Sequence, residues 1–267
     1  YFGKSCYVSN LCQSVSYGLD VVKNVLKQGA NIDQLDSNGY SPLACAVLES
    51  KIDIVEYLVN QSADVCKVGK KGKTPLLIAT EKKNLEIVKL LLDNGAIFNL
   101  QSAFPVAIKA RDLEIIKYMI EKGALVNFSY KNGYTPLIMA VETGDAAVVK
   151  FLIDNGANAE DESVSGSGHT LLTKAATLDN FAMVKHLVEN GASVNRFDNN
   201  KKTALSIAAS NYAFQTIRYL IKCGADPESA KTEIADFASW NDDFATYFAS
   251  LKLRSKCEET GHDEATQ

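Results

Sequence analysis

A Gly-Ala pair recurs at a nearly fixed interval along this chain of 267 residues, and the period limits the possible folds more strongly than composition does. The intervals between successive copies are 33, 33, 28, 33, 35 and 33 residues, and in one copy serine replaces the glycine. A period of this length favours a linear array of similar modules over one or two ordinary globular domains. The first residues of the pairs are Gly29, Ser62, Gly95, Gly123, Gly156, Gly191 and Gly224.

Each module is predicted to contain two short helices, and the fifth module shows the pattern most clearly. Asn132-Gly133 suits a tight turn, the Thr135 hydroxyl can cap a helix, and Pro136 fits the first helical position, where a missing N–H costs nothing. Apolar residues then recur at helical spacing until Gly156, which can supply the left-handed residue that ends the second helix. The predicted order within a module is turn, helix, turn, helix.

The openings Ser41-Pro42-Leu43, Thr74-Pro75-Leu76 and Thr135-Pro136-Leu137, together with the period, resemble the ankyrin repeat. This resemblance covers roughly residues 18–228. It implies an all-α fold, an ankyrin-repeat α-solenoid of about six clear helix-turn-helix repeats with degenerate capping repeats at both ends and short β-hairpin-like fingers. The histidine that usually follows Thr-Pro-Leu in this family is replaced here by Ala44, Leu77, Ile138, Thr173 and Ser206.

The resemblance implies a single ankyrin-repeat domain over residues 1–253, followed by a polar tail at 254–267 that is predicted to be disordered. The predicted modules are a degenerate cap at 1–35, repeats at 36–68, 69–100, 101–128, 129–160, 161–195 and 196–228, and a cap at 229–253. Repeat four lacks five finger residues, so its hairpin should shrink while its helices remain, and repeat six gains two residues in a Gly/Ser-rich loop. The expected C-terminal cap carries the aromatic residues Phe237, Trp240, Phe244, Tyr247 and Phe248.

No motif for catalysis, cofactor binding or metal binding is found. The six cysteines are scattered, with no CxxC pair, and the three histidines are not spaced for a metal site, so no cofactor is expected. An enzyme would require a pocket that holds His169 or His186 beside a carboxylate and a hydroxyl. The net charge of −4 does not indicate nucleic acid as a partner, and no apolar run is long enough to insert into a membrane. An intracellular, cytoplasmic location is expected because export is not indicated.

Because no motif for catalysis, cofactors or metals is found, the function is expected to lie on a binding surface. In the ankyrin family the fingers and the first helices line a concave side, so a non-catalytic module that binds a protein partner is predicted, and it is expected to be monomeric. Lysines concentrate on repeat three and acidic residues on the sixth finger, which predicts opposite charge at the two ends of this side. The candidate partner-binding residues are Tyr40, Lys70, Lys71, Lys73, Lys82, Lys109, Tyr130, Tyr134, Glu142 and Lys201.

Two alternatives stay open from the sequence. The array can be the targeting part of a larger enzyme or channel, or of a bacterial effector delivered into a host cell. The acidic C-terminal segment is compatible with the delivery signal of some effectors. The second alternative is an enzyme with an unrecognised site. It is disfavoured because repeated short helices offer no deep pocket with converging polar groups.

Overall fold

Pairs of short antiparallel α-helices make up the regular structure in the computed structural model, which describes residues 10–130, 133–160, 168–238 and 246. Within these ranges there are fifteen α-helices and no β-strand. The backbone divides into two compact units, residues 1–128 and 129–267, and the division falls at the predicted boundary between repeats four and five. A single domain over residues 1–253 stays a prediction.

In the first unit, four helix pairs follow one another. The first helices pack in succession, α1 on α3, α3 on α5 and α5 on α7, and the second helices do the same, α2 on α4, α4 on α6 and α6 on α8. The pairs are α1 (Leu11–Tyr17) with α2 (Leu19–Lys27), α3 (Pro42–Leu48) with α4 (Ile52–Asn60), α5 (Pro75–Glu81) with α6 (Leu85–Asp93), and α7 (Leu100–Ala110) with α8 (Leu113–Glu121).

The second unit repeats this arrangement. Its first helices pack α9 on α11, α11 on α13 and α13 on α15, and its second helices pack α10 on α12 and α12 on α14. The elements are α9 (Pro136–Thr143), α10 (Ala146–Asp154), α11 (Leu171–Thr177), α12 (Phe181–Glu189), α13 (Ala204–Ser210), α14 (Phe214–Lys222) and α15 (Lys231–Ala238).

Several predictions fall outside the described residues. These are the tail at 254–267, most of the Gly/Ser-rich loop of repeat six, and the capping aromatics Trp240, Phe244, Tyr247 and Phe248. Phe237 lies in α15, but its side chain is also outside the described set. Among the helices that are described, none combines the length and the apolar character that crossing a membrane requires.

The core of each unit lies between consecutive helix pairs. In the first unit Leu76 of α5 and Leu91 of α6 are completely buried, and in the second unit Leu152 of α10 and Leu205 of α13 are completely buried. Helices of seven to nine residues are marginal in water by themselves, so this burial against neighbouring pairs must supply most of their stability.

Hydroxyl groups open five of the described first helices, as the sequence pattern predicts, whereas Ser102, the predicted cap of repeat four, lies inside α7. Ser41, Thr74, Thr135, Thr170 and Thr203 each accept a hydrogen bond from the backbone N–H three residues later, over 3.1–3.4 Å. In repeat seven the Ser206 hydroxyl also accepts from the Thr203 backbone N–H at 3.1 Å, which completes a capping box. In this repeat, a serine therefore occupies the position of the family histidine and satisfies a backbone donor at the helix start.

The left-handed residue that ends each second helix is also confirmed. The glycines at these positions have φ between 88° and 98°, and Ser62, which replaces glycine in the second repeat, has φ 65°. A residue with a Cβ atom is strained in this conformation, whereas glycine is not.

Repeat four differs from the prediction in one respect. Ser102-Ala103 aligns with Thr74-Pro75 of repeat three, which predicts a helix that begins at Ala103. The finger is absent, but α7 begins at Leu100, directly after a 3₁₀ turn at Ala96–Asn99. The helix has eleven residues, whereas the other first helices have seven or eight. Leu100 is buried. The residues that remain between Gly95 and Ser102 therefore extend the helix toward its N-terminus instead of forming a shortened hairpin.

We expect Ser62→Gly to raise the free energy of unfolding by about 0.5–1 kcal/mol, because it removes the left-handed strain without removing a buried group. Gly123→Ala should lower it by a similar amount, since a Cβ atom at Gly123 would meet no other atom within 4 Å and only the backbone conformation is penalised. Urea unfolding of both variants measures the effect. Equal stabilities for the wild type and both variants would contradict the explanation.

Removing the hydroxyl of Ser206 should destabilise the second unit by about 1–2 kcal/mol, because the buried Thr203 backbone N–H loses its acceptor. Ser210→Ala, on the same helix but exposed, is the matched control and should change stability by less than about 0.5 kcal/mol. Thermal unfolding followed by circular dichroism distinguishes the two. A control as damaging as Ser206→Ala would show that the capping box is not the cause.

Candidate partner-binding surface

Four of the predicted fingers are five-residue loops in the described parts of the chain, each closed by a backbone hydrogen bond between its first and last residues. In the first unit these bonds join Asp36 to Tyr40 at 2.9 Å and Gly69 to Lys73 at 2.8 Å. In the second unit the equivalent bond joins Asp198 to Lys202 at 2.9 Å. The fingers turn back on themselves as expected, but the described residues form no regular strands there.

Neighbouring fingers are joined within each unit. The Lys70 backbone N–H donates to the Gly39 carbonyl at 2.9 Å, and the Asn199 backbone N–H donates to the Gly168 carbonyl at 2.9 Å. Gly39 has no room for a side chain, because an added Cβ would lie 2.3 Å from the Cβ of Lys70. The finger backbone is therefore held in place and can present its side chains from fixed positions.

Two finger aspartates anchor these loops from inside. Asp36 Oδ1 accepts from the backbone N–H groups of Asn38 at 2.9 Å and Tyr40 at 2.8 Å. Asp198 Oδ1 accepts in the same way from Asn200 at 2.8 Å and Lys202 at 2.9 Å. These carboxylates satisfy backbone donors at the fingertip, so their first role is structural.

The lysines of repeat three form two groups rather than one cluster. Lys70 and Lys71 are exposed on the fingertip, before α5, and Lys82 is exposed after its C-terminal end. Helix α5 has seven residues, so the groups are roughly 10 Å apart along its axis. Lys109 is exposed near the end of the following first helix, α7. Among the described residues none of these four lysines has a carboxylate partner.

Lys73 differs from these four because it forms an ion pair with Glu81, at the other end of α5. The second unit has an equivalent contact, in which the Tyr134 hydroxyl donates to Glu142 Oε1 at 3.2 Å across α9. Three of the candidate residues, Lys73, Tyr134 and Glu142, are thus engaged within the chain. Their side chains lie along the first helices.

The three candidate tyrosines are less exposed than is expected of partner-binding residues. Tyr40, Tyr130 and Tyr134 are all half-buried. The Tyr130 backbone N–H donates to the Tyr134 carbonyl at 2.8 Å, so Tyr130 closes its finger loop. Among the candidates of the second unit, Lys201 is exposed at a fingertip, where its backbone φ is 57°.

The acidic end predicted for the sixth finger is described only in part. Glu160 lies 3.4 Å from Arg196 and accepts a hydrogen bond from the Ser193 backbone N–H, so its charge is partly compensated within the unit. Asp161 and Glu162 lie outside the described residues. The expectation of opposite charges at the two ends stays a prediction.

His169 does lie beside a carboxylate and a hydroxyl, as an enzyme would require. Its Nδ1 is 2.9 Å from Asp198 Oδ2, and Thr170 follows it in the chain. The Thr170 hydroxyl, however, accepts from the Thr173 backbone N–H and serves as a helix cap. The adjacent cavity has a volume of about 10 Å³, enough for about one water molecule. Among the described residues, this group holds the finger and caps the following helix.

A larger groove of about 300 Å³ lies between the first two helix pairs, where Cys12 of α1 and Cys45 of α3 meet Asp36 and Tyr40. Contact with Cys45 lowers the pKa of the Cys12 thiol below its usual value, and contact with Cys12, together with burial, raises the pKa of the Cys45 thiol. The scattered cysteines had indicated no such cluster, because local spacing does not reveal residues separated by 33 positions.

Comparisons with known proteins agree with this architecture. A family model described as ankyrin repeats (3 copies) matches residues 11–102, 99–163 and 157–231. The human ASB11 ankyrin repeat domain is similar at 25% identity with a TM-score of 0.66, covering 81% of this chain and 98% of that one. The ankyrin repeat domain of Bcl-3, a member of the IkappaB protein family, is similar at 25% identity with a TM-score of 0.67, covering 78% and 97%.

No curated protein sequence is significantly similar to the chain. The family model, by contrast, accounts for most of its length, and the solved domains share its succession of helix pairs. Domains of this family generally act in protein–protein interaction. The chain belongs to the ankyrin repeat family.

Proposed function

We propose that this chain is a non-catalytic module that binds a protein partner through its fingers and first helices, and that the first unit contacts an acidic segment of that partner. The observation that carries the proposal is the set of exposed lysines without carboxylate partners on this side of the first unit, namely Lys70, Lys71, Lys82 and Lys109. The family membership supports the general role.

The arrangement of these lysines favours an extended acidic segment over a single charged group. The fingertip pair and the pair at the helix ends are separated by about the length of α5, roughly 10 Å. An extended chain spans that distance in about three residues. Two acidic side chains separated by a few residues can therefore reach both lysine groups.

Tyr40, which is half-buried, adds an apolar contact beside the exposed lysines of the first unit. Tyr40 precedes the opening of α3, at the position equivalent to Lys73 of the next repeat. Aromatic side chains held by rigid turns are frequent hot spots in protein interfaces. On the second unit we assign the corresponding role to Tyr130, Tyr134, Glu142 and Lys201.

The wider context follows from the same proposal. We take the module to be monomeric and to work inside a cell, where free thiols such as Cys12, Cys45, Cys66 and Cys223 stay reduced. The net charge of −4 does not favour nucleic acid as the partner. The solved relatives give no specific support for a targeting array in a larger enzyme or channel, or for a delivered bacterial effector.

The charge-reversal variant Lys70→Glu/Lys71→Glu should weaken binding of an acidic peptide by about tenfold or more, because two attractive contacts become repulsive. The probe is a set of peptides selected from a random library displayed on phage, and the measurement is calorimetric titration at physiological and at high salt. Selected peptides should be enriched in Asp and Glu, and their affinity for the wild type should fall with salt.

The matched control is Lys89→Glu/Lys117→Glu, which makes the same charge change on the second helices α6 and α8. Both lysines are exposed, and their contacts with Glu114 and with the Tyr118 ring are worth only about 0–1 kcal/mol each at the surface, so the control should retain the fold and should change affinity by less than about twofold. If both double variants weaken binding equally, the attraction comes from net charge alone. In that case the assignment to the fingers and first helices is wrong.

A further inference from the structure

The two cysteines that meet in the groove occupy equivalent places in the repeat. Cys12 and Cys45 are 33 residues apart, which is one repeat period, so stacking of α1 on α3 brings them together. None of the later repeats has a cysteine at the equivalent position, where the residues are Ile78, Val106, Met139, Lys174 and Ile207. The pair of thiols is therefore specific to the first junction and is not a general feature of this array.

Asp36 completes a group of three potential metal ligands. One ligand atom each from Cys12, Cys45 and Asp36 lies within 4.8 Å of the other two. In a tetrahedral zinc site, bond lengths of about 2.0–2.3 Å place neighbouring ligand atoms roughly 3.5–4 Å apart. The observed separations thus permit a single ion with only small side-chain movements.

Asp198 is the residue of repeat seven that is equivalent to Asp36, and the two carboxylates differ in their hydrogen bonds. Both oxygens of Asp198 are used, Oδ1 by two backbone N–H groups and Oδ2 by His169 at 2.9 Å. Asp36 also uses Oδ1 for two backbone N–H groups, but within the described parts of the chain no donor reaches its Oδ2. The carboxylate is held in place by its finger, and one of its oxygens lies within 4.8 Å of both sulfur atoms.

We propose that Cys12, Cys45 and Asp36 bind one thiophilic divalent cation of the Zn²⁺ class at the junction of the first two helix pairs. Two sulfur ligands favour zinc over magnesium or calcium, which prefer oxygen. The fourth ligand is a water molecule from the groove, whose volume of about 300 Å³ is ample for the ion and its water. This inference does not depend on the proposed partner.

Binding requires the thiols to lose their protons. Each ion replaces two thiol protons, so one M²⁺ is taken up and two H⁺ are released without any change in oxidation state. The Cys12 Sγ now donates to the Tyr40 carbonyl at 3.3 Å, and this weak hydrogen bond is lost when the sulfur becomes a thiolate ligand. Because the site links α1 to α3 and its finger, the metal should also stabilise the first unit.

The test uses the full chain, reduced and freed of metal by a chelator, titrated with ZnCl₂ in a calorimeter and with CoCl₂ in a spectrophotometer. We expect one ion per chain, a thiolate-to-cobalt charge-transfer band, a higher melting temperature with zinc, and more proton release at lower pH. Cys45→Ser, at a half-buried position, should weaken zinc binding at least 100-fold and abolish the charge-transfer band.

Two further variants keep the result interpretable. Asp36→Asn retains an oxygen for the finger hydrogen bonds but loses the second carboxylate oxygen, so it should preserve the fold and weaken zinc binding about 10–100-fold. Cys66→Ser/Cys223→Ser removes two free thiols elsewhere and should leave the titration unchanged. The proposal is overturned if zinc does not bind, if binding survives Cys45→Ser, or if the reduced protein reoxidises in the presence of zinc to a Cys12–Cys45 disulfide.

Discussion

Burial of apolar side chains between consecutive helix pairs is the interaction on which the structure of each unit depends. The helices are too short to persist alone in water, and their hydrogen bonds form only because neighbouring pairs cover their apolar faces. Ile87 and Leu91, like Ile54 and Leu58 in the preceding repeat, are completely buried for this reason. The fingertips and the exposed positions of the first helices contribute little to this core, so their side chains are free to serve binding.

Much of this fold could be predicted from the sequence because repeated positions carry repeated physical requirements. A hydroxyl before the first helix and a glycine after the second helix each satisfy a local need, and outside repeat four the predicted hydroxyl caps were found where the pattern placed them. Ser62 adopts the left-handed conformation of the glycine that it replaces. The start of α7 could not be predicted in this way. Comparing repeat four with the other repeats shows which finger residues are missing, but not how the remaining residues rearrange.

The candidate surface was predictable in its charges but not in its contacts. The exposure of Lys70, Lys71, Lys82 and Lys109 follows from their positions in the repeat. The contacts of Lys73 with Glu81 and of Tyr134 with Glu142 depend on how two side chains lie along a helix, which sequence spacing does not define. The meeting of Cys12 with Cys45 had a sequence signal, a separation of one repeat, that is visible only when cysteines are compared by repeat position.

Residue-resolved hydrogen exchange on a Leu91→Ala variant tests most directly whether each repeat of the first unit is stabilised by its neighbours. Leu91 is completely buried in α6, and its truncation should cost about 2–5 kcal/mol. If stability is transmitted between adjacent repeats, exchange should accelerate most in α5 and α6, less in α3, α4, α7 and α8, and least in α1 and α2. Equal acceleration in all eight helices would contradict this account and indicate one indivisible core.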